Sequence, residues 1–131
     1  MKSILIADDS STSRLVISDA LKKEGFSVSE TCNGEDALNT AKKTLYDLVI
    51  TDLNMPVMDG LTLVKTLRKL PSYKYTPILI LTTENLKEYK AEGKATGASG
   101  WIVKPFIPNH HVPIICKCLE RFKNKLSLSP L

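Results

Sequence analysis

Hydrophobic positions along the chain fall into two alternating patterns. Five short runs have the length and composition of β-strands: Ser3-Ile4-Leu5-Ile6-Ala7, Phe26-Ser27-Val28-Ser29-Glu30, Leu48-Val49-Ile50-Thr51, Ile78-Leu79-Ile80-Leu81 and Gly100-Trp101-Ile102-Val103. Most are apolar throughout, as strands covered on both faces are. Between and after them, residues 11–24, 34–45, 60–70, 86–96 and 109–125 carry apolar residues at helical spacing. Strand and helix alternate five times, which predicts an α/β domain: a doubly wound parallel sheet of five strands wrapped by five helices.

Local signals refine the helices. In the first, Leu15, Val16, Ala20 and Leu21 lie near one face, Ser10 or Ser11 is the expected cap, and Gly25 ends it. The segment 86–96 is the weakest helix, because it contains Gly93, few apolar residues and a string of charges; it is a candidate for motion. The last helix contains Pro113. Starting it near Asn109 as cap puts Pro113 at about the fourth helical position, where a missing N–H costs little. The tail 127–131 is expected to fray, and no internal repeat, low-complexity tract or linker interrupts the pattern.

Composition narrows the class. With 131 residues, 43% of them hydrophobic, the chain suits one compact domain, assigned to residues 1–126 with the short tail 127–131. No apolar run exceeds five residues, whereas a membrane-spanning helix needs about 20. The apolar start of the chain is cut off by Asp8 and Asp9, well short of the roughly 7 to 15 residues of a secretion signal. A cytoplasmic protein without a membrane partner is expected. Cys32, Cys116 and Cys118 are too few and too odd in number for a disulfide framework and read as small apolar packers.

The net charge of +4 conceals an asymmetry. Residues 1–60 hold six Lys/Arg against ten Asp/Glu, and residues 61–131 hold twelve against four. A basic half can serve an acidic partner. Nucleic acid is not the expected one, since a lone Trp101 among scattered Lys makes no stacking platform.

In open α/β sheets ligands bind beyond the carboxyl ends of the strands. Here the first strand ends in Asp8-Asp9, the third in Asp52, the fourth in Thr82-Thr83, and the fifth runs into Lys104-Pro105. Three carboxylates, a hydroxyl and an ammonium therefore converge on one edge. Adjacent buried carboxylates repel unless a cation joins them, and one or two carboxylates with a phosphoryl group are a usual way to hold Mg²⁺. With the cation in place, Asp52 can attack a phosphoryl group whose oxygens are neutralised by the metal, Lys104 and the Thr82 hydroxyl. His110, His111, Cys116 and Cys118 do not make a second metal site. On a helix Cys116 and Cys118 point about 200° apart, and His111 and Cys118 are separated by roughly 10 Å of rise.

Four ordered motifs resemble the receiver domain of two-component response regulators, from Ile4 to about Leu126. They are Asp8-Asp9-Ser10-Ser11-Thr12, Asp52-Leu53-Asn54-Met55-Pro56-Val57-Met58-Asp59-Gly60, Leu81-Thr82-Thr83-Glu84, and Gly97-Ala98-Ser99-Gly100-Trp101-Ile102-Val103-Lys104-Pro105-Phe106. The resemblance implies a flavodoxin-like fold with strand order 2-1-3-4-5. It implies that Asp52 accepts a phosphoryl group from a phosphohistidine on a sensor histidine kinase. Asp9, Asp52 and the backbone carbonyl of Asn54 would bind Mg²⁺, or Mn²⁺ in its place, with Asp8 acting through water. Lys104 would pair with the acids and then with the phosphoryl group, and the Lys104-Pro105 bond would be cis.

Thr82 and Trp101 would form the switch: Thr82 moves toward the phosphoryl group and Trp101 turns into the vacated space. The output face would be residues 86–96, the fifth strand and the last helix. Asn54 and Glu84 would border the path of the hydrolytic water and set the phosphoryl lifetime. The expected function is that of a stand-alone, monomeric phosphoacceptor of the chemotaxis type, acting on the flagellar switch and served by a phosphatase. It would not be an enzyme beyond its own phosphorylation and dephosphorylation. A phosphorelay intermediate or phosphate sink is the alternative. A haloacid-dehalogenase-type phosphatase with an Asp nucleophile is more remote, because its nucleophile ends the first strand. A flavin binder of flavodoxin type would need glycine in the Ser10-Ser11-Thr12-Ser13 loop.

Overall fold

The computed structural model describes residues 2–83 and 97–128, with side chains in the final helix described as far as Arg121. The described elements are β1 (Ser3–Ala7), α1 (Ser11–Lys23), β2 (Ser27–Thr31), α2 (Gly34–Lys43), β3 (Leu48–Asp52), α3 (Gly60–Arg68), a 3-10 turn (Pro71–Tyr73), β4 (Ile78–Thr82), β5 (Gly100–Val103) and α4 (Pro108–Leu128). All strand pairs are parallel, in the order β2-β1-β3-β4-β5. The described residues thus hold four of the five expected helices. The helix expected over 86–96 lies outside them, as does Glu84.

Alternation along the strands divides the core into two layers. Leu5, Val49, Ile78 and Ile80 pack with Leu38, Leu63, Val64 and Leu67 on the α2–α3 face. Ile4, Ile6, Ile50 and Leu81 pack with Ile17, Leu21, Ile115 and Leu119 on the α1–α4 face. Every residue of β3 and β4 is buried, whereas edge strand β2 is half exposed. This is the arrangement that two-sided apolar runs require.

Helix ends follow local chemistry. Ser10 caps α1 by accepting from the Ser13 N–H at 3.2 Å. The other end closes with Gly25 at φ +93°, its N–H on Lys22 O and the Phe26 N–H on Leu21 O, a glycine-terminated Schellman motif. The buried stripe of α1 is Ile17, Ser18 and Leu21, while Leu15 and Val16 are exposed. Apolar content alone mis-set this face, because the small polar Ser18 sits one turn from Arg14 and Leu21 on the side that meets the sheet.

Three further boundaries depart from the pattern. Helix α2 stops at Lys43, where Thr44 turns extended and Tyr73 Oη reaches the carbonyls of Ala41 and Thr44 at 2.8 and 2.9 Å. Helix α3 ends at Arg68, and the 3-10 turn that follows opens on Pro71. Helix α4 begins at Pro108 and runs to Leu128, into the residues expected to fray; after Pro113 no Pro or Gly occurs before Pro130. Pro113 consequently stands at the sixth helical position and leaves Asn109 O without its ordinary i+4 donor. No described helix is long and apolar enough to cross a membrane. Cys32 is exposed rather than packed, and Cys116 and Cys118 are half-buried.

Candidate functional site

The strand register brings the chemistry to one edge. Ala7 pairs with Thr51, Asp52 with Leu81 and Thr82 with Val103, so Asp8, Asp52, Thr82 and Lys104 sit side by side at the carboxyl ends of β1, β3, β4 and β5. Asp8 is fully buried, Asp52 and Thr82 nearly so, and Asp9 is exposed.

Each buried carboxylate is held by one local bond and turned toward the same cation. Asp8 Oδ1 accepts the Ser10 N–H at 2.9 Å, and its Oδ2 lies 3.1 Å from Lys104 Nζ in an ion pair without a directed hydrogen bond. Asp52 Oδ1 accepts the Leu53 N–H at 2.9 Å, and its Oδ2 accepts from Lys104 Nζ at 3.0 Å. Lys104 is in turn fixed through its own N–H, which donates to Thr82 O at 2.9 Å. The Lys104-Pro105 peptide is cis.

Two supports were not legible from motif spacing alone. Arg14 Nη1 donates to Asp8 O at 2.6 Å while its Nε lies 3.7 Å from Glu30, tying α1 and β2 to the end of β1. Gly60 passes so close to the strand that a Cβ there would overlap the Asp52 carbonyl oxygen, and its N–H donates to Leu53 O at 2.8 Å. The Asp52–Gly60 loop is thereby folded back on itself, with Asp59 capping α3 through the Thr62 N–H. At its exposed tip Val57 has φ +71°, and the Met58 N–H bonds Pro56 O at 2.8 Å. This is a γ-turn of the rare, strained hand.

Electrostatics match the crowding. Burial raises Asp52 from 3.8 to about 6, Lys104 pulls it back and the neighbouring Asp8 pushes it up again. Lys104 is lowered by burial but raised by its contacts with Asp52 and Asp8, which win. One ammonium thus faces two buried carboxylates with Asp9 beside them. Ligand oxygens of Asp8, Asp9 and Asp52 lie within 4.8 Å of one another, and Asp8 Oδ2 is a buried acceptor without a hydrogen bond. Hard oxygen donors with surplus negative charge fit a divalent cation.

The remaining residues singled out from the sequence fall elsewhere. Asn54 is exposed on the loop after Asp52, and Trp101 is half-buried on β5 against the α2–α3 layer. An apolar cleft of about 410 Å³ opens beside Lys104, between Ser10, Val16 and Phe106. A second groove of about 770 Å³ is bounded, among the described residues, by Trp101, Arg68, Lys74, Lys117 and Arg121.

Comparison with known proteins gives one consistent result. Residues 4–115 match the family model described as the response regulator receiver domain. Chemotaxis protein CheY-3 of Vibrio cholerae is 41% identical over 104 residues, covering 79% of this chain and 80% of that protein. The transcriptional regulatory protein SrrA of Staphylococcus aureus is 36% identical over 118 residues, 90% of this chain but 48% of SrrA. The crystal structure of the V. cholerae chemotaxis protein CheY4 superposes with a TM-score of 0.87 at 44% identity, covering 90% of this chain and 98% of that one.

Proposed function

The chain belongs to the response regulator receiver family, and from that premise we propose that Asp52 takes a phosphoryl group from a phosphohistidine of a sensor kinase. The observation that carries this reading is Lys104 Nζ, 3.0 Å from Asp52 and 3.1 Å from Asp8. A buried nucleophile, an acidic pair and a mobile-length cation meet at the edge where α/β sheets do their chemistry.

Asp9, Asp52 and the carbonyl of Asn54 would hold Mg²⁺, with Asp8 acting through water. The cation supplies charge neutralisation for the phosphoryl oxygens and favours the ionised form of Asp52. An Asp52 carboxylate oxygen forms the new O–P bond as the P–N bond to the donor imidazole breaks, and the imidazole keeps the electron pair and takes up a proton. Lys104 exchanges part of its carboxylate contact for a phosphoryl oxygen. The cleft beside Lys104, Pro105 and Phe106 leaves a path for the donor. Thr82 then bonds the phosphoryl group, and Trp101 turns inward. Asn54 and Glu84 border the hydrolytic water; Glu84 lies outside the described residues. The chain transforms no substrate other than its own phosphoryl group.

The output is assigned to the face of residues 86–96, β5 and α4. Its described part carries Trp101, Lys117 and Arg121 along a basic groove, suited to an acidic or amphipathic segment of a partner protein. Identity of 41% and 44% to chemotaxis proteins supports a role in flagellar motor control, with the flagellar switch as the target.

Incubation with acetyl phosphate and Mg²⁺ tests the site. Labelling of the wild type, its loss in Asp52→Asn and in chelator, and a change in Trp101 fluorescence are expected. Equal labelling of Asp52→Asn overturns the assignment. Pull-down with the phosphorylated chain tests the output: capture of a switch protein supports the motor role, whereas onward transfer to another histidine without such binding places the chain in a relay.

A further inference from the structure

The loop that presents Lys104 is pinned at both ends. At its start the Lys104 N–H bonds Thr82 O at 2.9 Å. At its end Ile107 precedes α4 and is 51% exposed, with no side-chain oxygen to cap the helix. Its carbonyl accepts the N–H groups of His110 and His111 at 3.0 and 2.8 Å. Its own N–H donates back to His111 Nδ1 at 2.9 Å. His111 thus closes a reciprocal pair of bonds at the helix start, the task ordinarily given to a Ser, Thr or Asp.

This bond dictates the protonation state of the ring. An imidazole nitrogen that accepts a backbone N–H cannot carry a proton, so Nδ1 is bare and the proton of the neutral ring is on Nε2. The side chain is buried (7% exposed) and its ring centroid lies 5.3 Å from that of Phe106, the residue between cis-Pro105 and Ile107. Protonation would turn Nδ1 from acceptor to donor facing another donor, and would put a positive charge at the positive end of a helix.

We propose that His111 is a positioning residue for Lys104: neutral, it locks the Lys104–Ile107 loop with the ammonium between Asp52 and Asp8, and protonated, it releases that loop. The functional half of this statement rests on Asp52 being the phosphoacceptor. Burial and the adjacent His110, whose ring centroid is 4.8 Å away, both press His111 below its ordinary value. Among the described residues the charged groups on the packed elements are Lys104 on the loop, Lys117, Glu120 and Arg121 on α4, and Arg14, Asp19, Lys22 and Lys23 on α1 with Glu24 just after it; Asp19, Lys23 and Glu24 line a groove with Pro108, Asn109 and Val112, the neighbours of His111. Among the described residues no carboxylate forms an ion pair with His111, so none offsets its loss of the proton.

The test uses the full chain with Mg²⁺, acetyl phosphate as phosphodonor, and three forms: wild type, His111→Asn and His111→Leu. Asn keeps an acceptor at the Nδ1 position but does not titrate; Leu keeps volume and removes the acceptor. Imidazole ¹⁵N shifts should give a bare Nδ1 at neutral pH, and the amides of Ile107 and Lys104 should shift together with the His111 ring as the pH is lowered through its titration. The wild-type labelling rate should fall over that range by at least about threefold more than that of His111→Asn, which keeps only the limb due to Asp52. His111→Leu should label slowly at all pH values.

Identical pH profiles of the wild type and His111→Asn overturn the proposal, as does an Ile107 amide that ignores the His111 titration. Should Asp52→Asn label like the wild type, the phosphoacceptor reading fails instead, while the amide titration still decides whether His111 controls the loop.

Discussion

Lys104 Nζ and Asp52 Oδ2 meet at 3.0 Å although 52 positions separate them in the chain. The bond joins β5 to β3 across β4, so it is made only when the whole sheet is assembled in register. It is also the bond that the proposed chemistry must partly break, which places stability and function in opposition at one pair of atoms.

Asp52 should therefore be a stability liability at neutral pH. Its folded value of about 6 lies above the ordinary 3.8, so its contribution is fully present below the unfolded value and is lost as the pH rises through about 6. Asp52→Asn should raise stability by on the order of 1–3 kcal/mol at pH 8 and by little at pH 4. Urea unfolding of both proteins at the two pH values measures the difference; an equal gain at both would contradict it.

Mg²⁺ should raise the melting temperature of the wild type, since it favours only the folded acidic cluster. At a hundredfold excess over its dissociation constant the gain is about 2.7 kcal/mol. Asp52→Asn and Asp9→Asn should each lose most of this gain. Calorimetry with and without chelator reads it directly, and a rise unaltered in both variants would place the cation elsewhere.

Val57 should be replaceable with profit. A β-branched residue at φ +71° is strained, and its side chain is 73% exposed, so packing returns little. Left-handed backbone costs an L-residue about 1–2 kcal/mol, and Asn tolerates it better than most. Val57→Asn should stabilise by about 1 kcal/mol, seen as a higher denaturation midpoint with unchanged slope. No gain would mean that the loop holds Val57 without strain.

Arg68 should be among the costliest residues to remove outside the site. Its half-buried guanidinium donates to the carbonyls of Tyr73, Thr76 and Gly97 at 2.6, 2.6 and 2.9 Å, and reaches Ser99 Oγ at 3.3 Å. Burial lowers its pKa, yet it stays charged, held among the described residues by neutral carbonyl and hydroxyl oxygens. Arg68→Met keeps the stem but leaves these acceptors without it, at a cost of about 3 kcal/mol. Arg68→Lys should recover less than half, because one ammonium cannot span them. Thermal melts rank the three forms.

Much of the fold is legible in the sequence, for a physical reason. Runs such as Ile78-Leu79-Ile80-Leu81 are too uniformly apolar for anything but a strand covered on both sides, and five strand-like runs, most of them of this kind, separated by helical segments leave a parallel sheet as the economical solution. Caps and stops were equally local: Ser10 and Gly25 act within a turn of where they stand. The face of α1 was misjudged because burial belongs to the partner surface. Leu15 and Val16 are exposed, and Ser18 is buried, where the sheet happens to lie.

The sequence by itself determined which residues could do the chemistry, because Asp8, Asp9, Asp52, Thr82 and Lys104 each end or directly follow a strand, and strand ends in a parallel sheet share an edge. Only the tertiary structure decided how they meet. It aims one oxygen of each buried carboxylate at the same ammonium, raises Asp52, brings Gly60 against its carbonyl and sets His111 under the loop that carries Lys104. Such distances depend on register, packing and burial summed over the whole chain, and no short stretch of residues encodes them.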